Sequence, residues 1–228
     1  SQRLPWLIQD DMKKMSMADV SGILPRGGTD LVQQTGIIPS NAAGEDAAGN
    51  VIYEDRRDDV VRNLNAHGIE CLIVIGGDGS LKIGYDLHRF CGVNVVGVPK
   101  TIDNDLPGTE RTFGFDTAMA MATEALDRLH TTAESHHRVM VLEVMGRYAG
   151  WIALHSGLAG GADVILIPEI PYRIESVIEK VKARQAQGKQ FSIIVVAEGS
   201  KPVGGKMTVA RLVKNSFEQV RLGGGGNK

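Results

Sequence analysis

The sequence predicts an α/β protein of three layers, with mostly parallel sheets flanked by helices. Short apolar runs alternate with segments of helical period, the pattern of parallel strands joined by crossover helices. The runs read as buried strands, as in a sheet covered on both faces. Several break directly into polar or glycine-rich turns, and open α/β sheets gather their ligands at the carboxyl ends of strands.

Taken in order, residues 71–75 read as a buried strand, 81–90 as a helix and 93–98 as a second strand. Asp116 reads as the cap of a helix whose inner face is Met119, Ala122, Leu126 and Leu129, spaced by three and four. Strands follow at 139–144, 164–167 and 191–197, and between the last two Ile174, Val177, Ile178 and Val181 keep helical spacing. No repeat of solenoid period is visible.

With 228 residues the chain fits one large domain or two small ones. Its 43% apolar and 23% charged content is ordinary for a globular protein. A net charge of −2 and the lack of a basic run argue against a nucleic-acid partner. No apolar stretch reaches the roughly 18–20 residues needed to span a bilayer, and the opening residues do not read as a signal peptide. The expected setting is the cytoplasm. Cys71 and Cys91, at or beside predicted strands, read as reduced packing residues rather than redox or metal groups. His67, His88, His130, His136, His137 and His155 show no metal-ligand spacing and read as solvated.

The chemistry concentrates in two turns. Gly76-Gly77-Asp78-Gly79-Ser80 follows the first strand, and its glycines can turn amide N–H groups toward an anion. Asp78 suits Mg²⁺, directly or through water. Gly79 leaves room for a bulky nucleotide, and Ser80 can cap the next helix or touch phosphate. The plainer alternative is a strand-to-helix turn with Asp78 as its cap. The second turn, Lys100-Thr101-Ile102-Asp103-Asn104-Asp105, brings two carboxylates and a hydroxyl to a strand end. Asp103 is the candidate general base, accepting a proton from an attacking hydroxyl, with Thr101 bonding the transferring phosphoryl group and Asp105 arranging metal and water. An Asx-turn that merely stabilises the loop is the alternative. Lys100 reads either as a donor-site cation or as a solvated charge.

These motifs carry a resemblance. GGDGS, PKTIDND and GTERTFGFDTA, followed by VMVLEVMGR and AEG, resemble in type and order the 6-phosphofructokinases, over roughly residues 20–228. The resemblance implies two similar subdomains, a nucleotide-binding side over 1–113 and a sugar-phosphate side over 114–228. It implies Mg²⁺-dependent phosphoryl transfer from ATP to the 1-hydroxyl of fructose 6-phosphate, with catalytic Asp103, Thr101 and Arg147. Gly77, Asp78, Gly79, Ser80 and Lys100 would bind the donor, with Asp78 on the metal. Arg138, Met145, Gly146, Arg147 and Glu198 would join Thr101 and Asp103 on the sugar phosphate, Arg138 from a neighbouring subunit. Arg138 as a plain surface charge and Met145 as core packing are the alternatives. Tyr148 and Trp151 read as packing residues of the following helix. A homodimer or homotetramer with shared sites is expected.

Relatives that use pyrophosphate carry an acidic side chain where this chain has Gly79, so glycine there with Lys100 looks like the ATP-using branch. The readings kept beside it are a pyrophosphate-dependent enzyme and a catalytically weak sugar-phosphate-binding fragment. The chain looks like an internal piece of such an enzyme. No glycine-rich GGD turn opens it, and it ends at Gly223-Gly224-Gly225-Gly226-Asn227-Lys228, where relatives continue into a basic segment that clamps the sugar phosphate. A linker or tag remnant is the plainer alternative for the glycine run. After Arg26-Gly27-Gly28-Thr29, residues 30–39 hold no arginine where relatives carry one that contacts the phosphoryl group.

Overall fold

The computed structural model describes residues 7, 10, 12, 14–23, 40–45, 51–205, 209–214 and 220–222. The arginine-poor stretch 30–39 and the glycine run 223–226 lie outside the described residues. The chain divides into two compact units, Ser1–Val98 and Pro99–Lys228.

In the first unit, strands β1 (Ser40–Glu45) and β2 (Val51–Asp55) form an antiparallel pair that the sequence pattern did not signal. Helix α1 (Arg57–Ala66) carries Asp58 and Asp59 in its first turn, where negative charge complements the helix dipole. Strand β3 (Cys71–Gly76), helix α2 (Asp78–Cys91) and strand β4 (Asn94–Thr101, continuing into the second unit) form the strand-helix-strand core. Gly84 lets α2 lie close on the sheet: a Cβ there would sit 3.0 Å from Val95 Cγ1 and 3.1 Å from Val74 Cγ2. Leu7, Val60, Leu64 and Leu87 make the apolar core, with Leu72, Ile83, Cys91 and Val93 against it.

Three expectations need correction in this unit. The strand over 71–75 is not buried on both faces. Leu72 and Val74 turn toward the core, whereas Cys71, Ile73 and Ile75 are exposed, and among the described residues no element covers that face. Cys71 is exposed and so is not the packing residue expected, whereas Cys91, the last residue of α2 just ahead of β4, packs against the core, where burial pushes its thiol up. The helix begins at Asp78, so Ser80 lies in its first turn and does not cap it; the N-cap is Gly77.

The second unit opens with β5 (Phe113–Gly114) and α3 (Phe115–His136). Gly114, at φ 107°, is the N-cap, so Asp116 is not; it pairs with Arg111 instead. The inner face of α3 includes the expected Met119, Ala122, Leu126 and Leu129, extended by the fully buried Phe115 and Ala133. Then come β6 (Val139–Val144), α4 (Trp151–Ala159), β7 (Val164–Leu166), α5 (Ile174–Ala186) and β8 (Ser192–Ala197). Strand β8 lies between β6 and β7, parallel to both, with Val139 opposite Ser192 and Val164 opposite Ile194. All six of its residues are buried, so at this strand both sheet faces are covered. Strands β9 (Val209–Lys214) and β10 (Val220–Leu222) form a second antiparallel pair, also unsignalled.

Leu126, Ala133, Ala153, Ile193, Val195 and Ala197 form the core of this unit. Asp163 pins the start of β8, accepting the Ile193 N–H at 2.9 Å and pairing with Arg184 at 2.7 Å. Helix α5 buries none of its residues, and Ile174 and Ile178 of its apolar stripe stay exposed. Leu126 has no exposed surface, and Gly160 of the next connection approaches so closely that a Cβ there would lie 2.7 Å from Leu126 Cδ1. Leu126→Ala is expected to cost about 2–5 kcal/mol of unfolding free energy, through lost transfer energy and a cavity the two helices cannot close. Urea unfolding measures it; a loss under about 1 kcal/mol would show that the site collapses freely.

Candidate active site

The polar turn after β4 starts later than the sequence suggested. Lys100 and Thr101 are still strand, because they pair in parallel with Phe113 and Gly114 of β5. The loop that follows is closed by its own side chains. Asn104 takes the left-handed conformation (φ 53°), which Asn tolerates better than most residues. Its Oδ1 accepts the Thr112 N–H at 2.9 Å, and Thr112 Oγ1 donates to the Thr101 carbonyl at 2.8 Å. Thr112 is only 3% exposed, so these bonds are shielded from water. The loop-stabilising work thus falls to Asn104 and Thr112, and the Asp103 carboxylate is not consumed by it.

Asp103 is half-buried and sits beside Thr101, whose Oγ1 lies 3.3 Å from both its Oδ2 and its amide nitrogen. Burial raises its carboxyl above the ordinary aspartate value, and the nearby Asp105 carboxylate raises it further. The Thr101 hydroxyl and the Arg147 guanidinium pull the other way without cancelling the rise. A carboxylate base works only when ionised, so with Asp103 in the base role expected from the sequence the rate should fall as pH drops through this raised value. Asp105→Asn removes a neighbouring negative charge and should move the acid limb of kcat/KM to lower pH. Arg147→Gln removes a positive one and should move it to higher pH. Limbs that shift in the opposite senses, or not at all, would separate Asp103 from the titration.

Arg147 reaches this neighbourhood from the end of β6. The β6 and β8 ends lie side by side: the Glu198 N–H donates to the Val144 carbonyl at 2.9 Å, and the Gly199 N–H to that of Gly146 at 3.0 Å. Met145, Gly146 and Arg147 are thereby set beside Glu198, with Gly146 at φ 140° and buried, and Arg147 and Glu198 part-buried. Met145 is 56% exposed, so it is no core residue. Tyr148 does not pack the next helix as expected: it is 63% exposed, with the Arg147 guanidinium 5.9 Å from its ring centroid. Trp151, the first residue of α4, is also partly exposed and leans against His155.

Arg138 stands apart. It precedes β6, whereas Met145 to Arg147 follow it, so the six residues of that strand put about 20 Å between them. Its exposed side chain does not join Thr101, Asp103 and Arg147 within one chain.

In the first unit, Gly77 is the N-cap of α2 and Asp78, Gly79 and Ser80 form its first turn. The first amides of a helix lack intrahelical partners and point outward at its positive end, which suits phosphate. No side chain caps this end, and Asp78 is exposed. Lys100, in the other unit, is exposed at the end of β4. Among the described residues no group of three or more His, Cys, Asp or Glu is placed to hold a metal.

Sequence reasoning missed Thr112, Gly199 as a contact residue, and Glu169, whose Oε1 accepts the Gly150 N–H at 2.8 Å. Thr112 gave no signal because its partner Thr101 lies eleven residues away. A glycine directly after Glu198 at a strand end was the one available hint of close backbone approach.

A glycine turn thus opens helix α2 after β3, and a Thr-Ile-Asp-Asn-Asp segment carries β4 into its loop. The family model described as phosphofructokinase matches residues 5–223, and the chain belongs to that family. It is 57% identical over 222 residues to ATP-dependent 6-phosphofructokinase 2 of Clostridium perfringens, an alignment covering 97% of this chain and 60% of that protein. It is 50% identical to a pyrophosphate–fructose 6-phosphate 1-phosphotransferase of Amycolatopsis mediterranei, covering 94% of this chain and 59% of that one. Among solved structures, phosphofructokinase from Saccharomyces cerevisiae superposes with a TM-score of 0.57 at 34% identity, covering 64% of this chain and 23% of that one. The chain thus spans about 60% of the length of these two curated relatives.

Proposed function

We propose that the protein to which this chain belongs transfers the terminal phosphoryl group of ATP to the 1-hydroxyl of fructose 6-phosphate. The observation that carries this reading is the half-buried Asp103, raised in pKa, beside Thr101 and within the influence of Arg147. Asp103 takes the proton from the sugar hydroxyl as it attacks. Thr101 hydrogen-bonds the transferring phosphoryl group, and Arg147 neutralises charge that develops on it. Met145, Gly146 and Glu198 line the sugar, with Glu198 accepting hydrogen bonds from its hydroxyls. Gly77, Asp78, Gly79 and Ser80 bind the donor phosphates at the α2 N-terminus, and Lys100 is kept as a donor-binding cation. The domain roles of the sequence reading are kept: a nucleotide side over 1–113 and a sugar-phosphate side over 114–228.

The residues fit Mg²⁺. The Asp78 carboxylate is exposed, is not used as a helix cap, and supplies the hard oxygen ligand that the ion prefers beside substrate phosphates. Asp78 would hold it, and when bound it neutralises phosphate charge. Arg138, at the opposite end of β6 from Arg147, is assigned to a neighbouring subunit's sugar phosphate, in a homodimer or homotetramer with shared sites. Its guanidinium fork suits a sugar phosphate. No helix among the described residues is long and apolar enough to cross a membrane, and a cytoplasmic setting is proposed.

The test is a coupled assay of fructose 1,6-bisphosphate formation by the whole protein, with ATP and with pyrophosphate at matched saturation. Turnover with ATP as the faster donor is expected. Faster turnover with pyrophosphate overturns the donor assignment alone, and no turnover with either overturns the kinase reading and leaves sugar-phosphate binding without catalysis.

A further inference from the structure

We propose that Arg147 is held in its working position by a backbone clamp formed by Gly199 beneath it and Glu169 at the far end of its loop. This rests on the reading that Arg147 acts on the transferring phosphoryl group. Neither Gly199 nor Glu169 needs to touch substrate. Both are positioning residues.

The geometry points to this because the Arg147 segment has very little freedom. A Cβ on Gly199 would lie 1.9 Å from the Arg147 carbonyl oxygen and 2.8 Å from that of Gly146. These are backbone atoms, so no side-chain rotation relieves the contact. The approach is fastened by the Gly199 N–H donating to Gly146 O at 3.0 Å. Four residues after Gly146 the loop is tied again, where the Gly150 N–H donates to Glu169 Oε1 at 2.8 Å. A Cβ on Gly150 would lie 2.5 Å from Ile167 Cβ, so the second tie also sets backbone against a neighbouring connection. Between the two ties lie Arg147, Tyr148 and Ala149. Gly146, at φ 140° with a would-be Cβ 2.7 Å from Ala149 O, folds that stretch back on itself. A long side chain placed within a fraction of an ångström needs such support from outside the reacting groups.

The experiment is a double-mutant cycle in the whole protein, reading kcat and KM for fructose 6-phosphate with ATP, and the melting temperature of every variant. Gly199→Ala should lower kcat at least 10-fold and Glu169→Ala about 3–10-fold. In an Arg147→Ala background Glu169→Ala should change kcat less than two-fold, since the residue it positions is gone. Gly199→Ala, which also presses on Gly146 beside the sugar, should there lose at least most of its kcat effect and keep only its effect on KM. Losses that multiply undiminished in that background overturn the clamp. If Gly199→Ala yields no folded protein, Glu169→Ala, which only removes a tether, carries the same cycle. If Arg147→Ala itself leaves kcat unchanged, the role of Arg147 fails. The clamp is then judged by amide exchange at Gly150: faster exchange in Glu169→Ala upholds it, and unchanged exchange overturns it.

Discussion

Asp103→Ser is expected to cut turnover by about 10²-fold or more while fructose 6-phosphate affinity stays nearly constant. Serine cannot take a proton at neutral pH, so the attacking hydroxyl loses its base while the sugar keeps its other contacts. The structure adds a reason to expect a clean result. Asn104 and Thr112 make the shielded bonds that close the loop, and the Asp103 N–H bond to Thr101 Oγ1 is backbone, so the exchange at Asp103 removes only the long 3.3 Å bond that its carboxylate accepts from Thr101. The half-buried carboxylate also ceases to be desolvated and to face Asp105, so stability should hold or rise slightly. A variant that turns over within a few-fold of the unaltered protein would remove Asp103 from the base role. One that loses turnover together with its melting temperature would mean the loop, not the proton, was lost.

Gly79→Asp is expected to suppress ATP turnover by about 10²-fold, with fructose 6-phosphate binding little changed. On the proposed reading a nucleotide passes its α-phosphate and ribose along the first turn of α2, where a side chain intrudes and a carboxylate repels. Two like charges about 4 Å apart cost about 4 kcal/mol at an effective dielectric of 20, and solvent exposure at Gly79 brings that nearer about 3 kcal/mol. The fold should tolerate the change. Gly79 is exposed, is not among the positive-φ glycines, and lies in the first turn of a helix, where an acidic side chain favours the helix dipole. Weak turnover with pyrophosphate in the variant would fit, because that donor has no nucleoside to accommodate. Unimpaired ATP turnover would show that the nucleotide runs elsewhere.

The sequence by itself determined the class of fold, the strand over Val139–Val144, and the phosphofructokinase resemblance, because each rests on neighbouring residues. Apolar runs, helical spacing and glycine turns are written within a dozen positions of one another, and local sterics decide them. It placed Asp103 and Arg147 at strand ends for the same reason. Boundaries that depend on a partner strand were not legible. Thr101 belongs to β4 only because the two-residue β5 pairs with it, and no propensity marks Phe113-Gly114 as a strand. Nor was the exposure of Ile73 and Ile75, since an apolar run reports what a strand could bury and not what covers it. The tertiary structure alone decided which polar side chains close the loop and that the Asp103 carboxylate is not one of them. It also decided that Gly199 lies under Arg147, because these two residues meet only when β6 and β8 pair in register across some fifty residues of chain. A close approach of two backbones is a property of packing, and a glycine in a sequence does not say which backbone it makes room for.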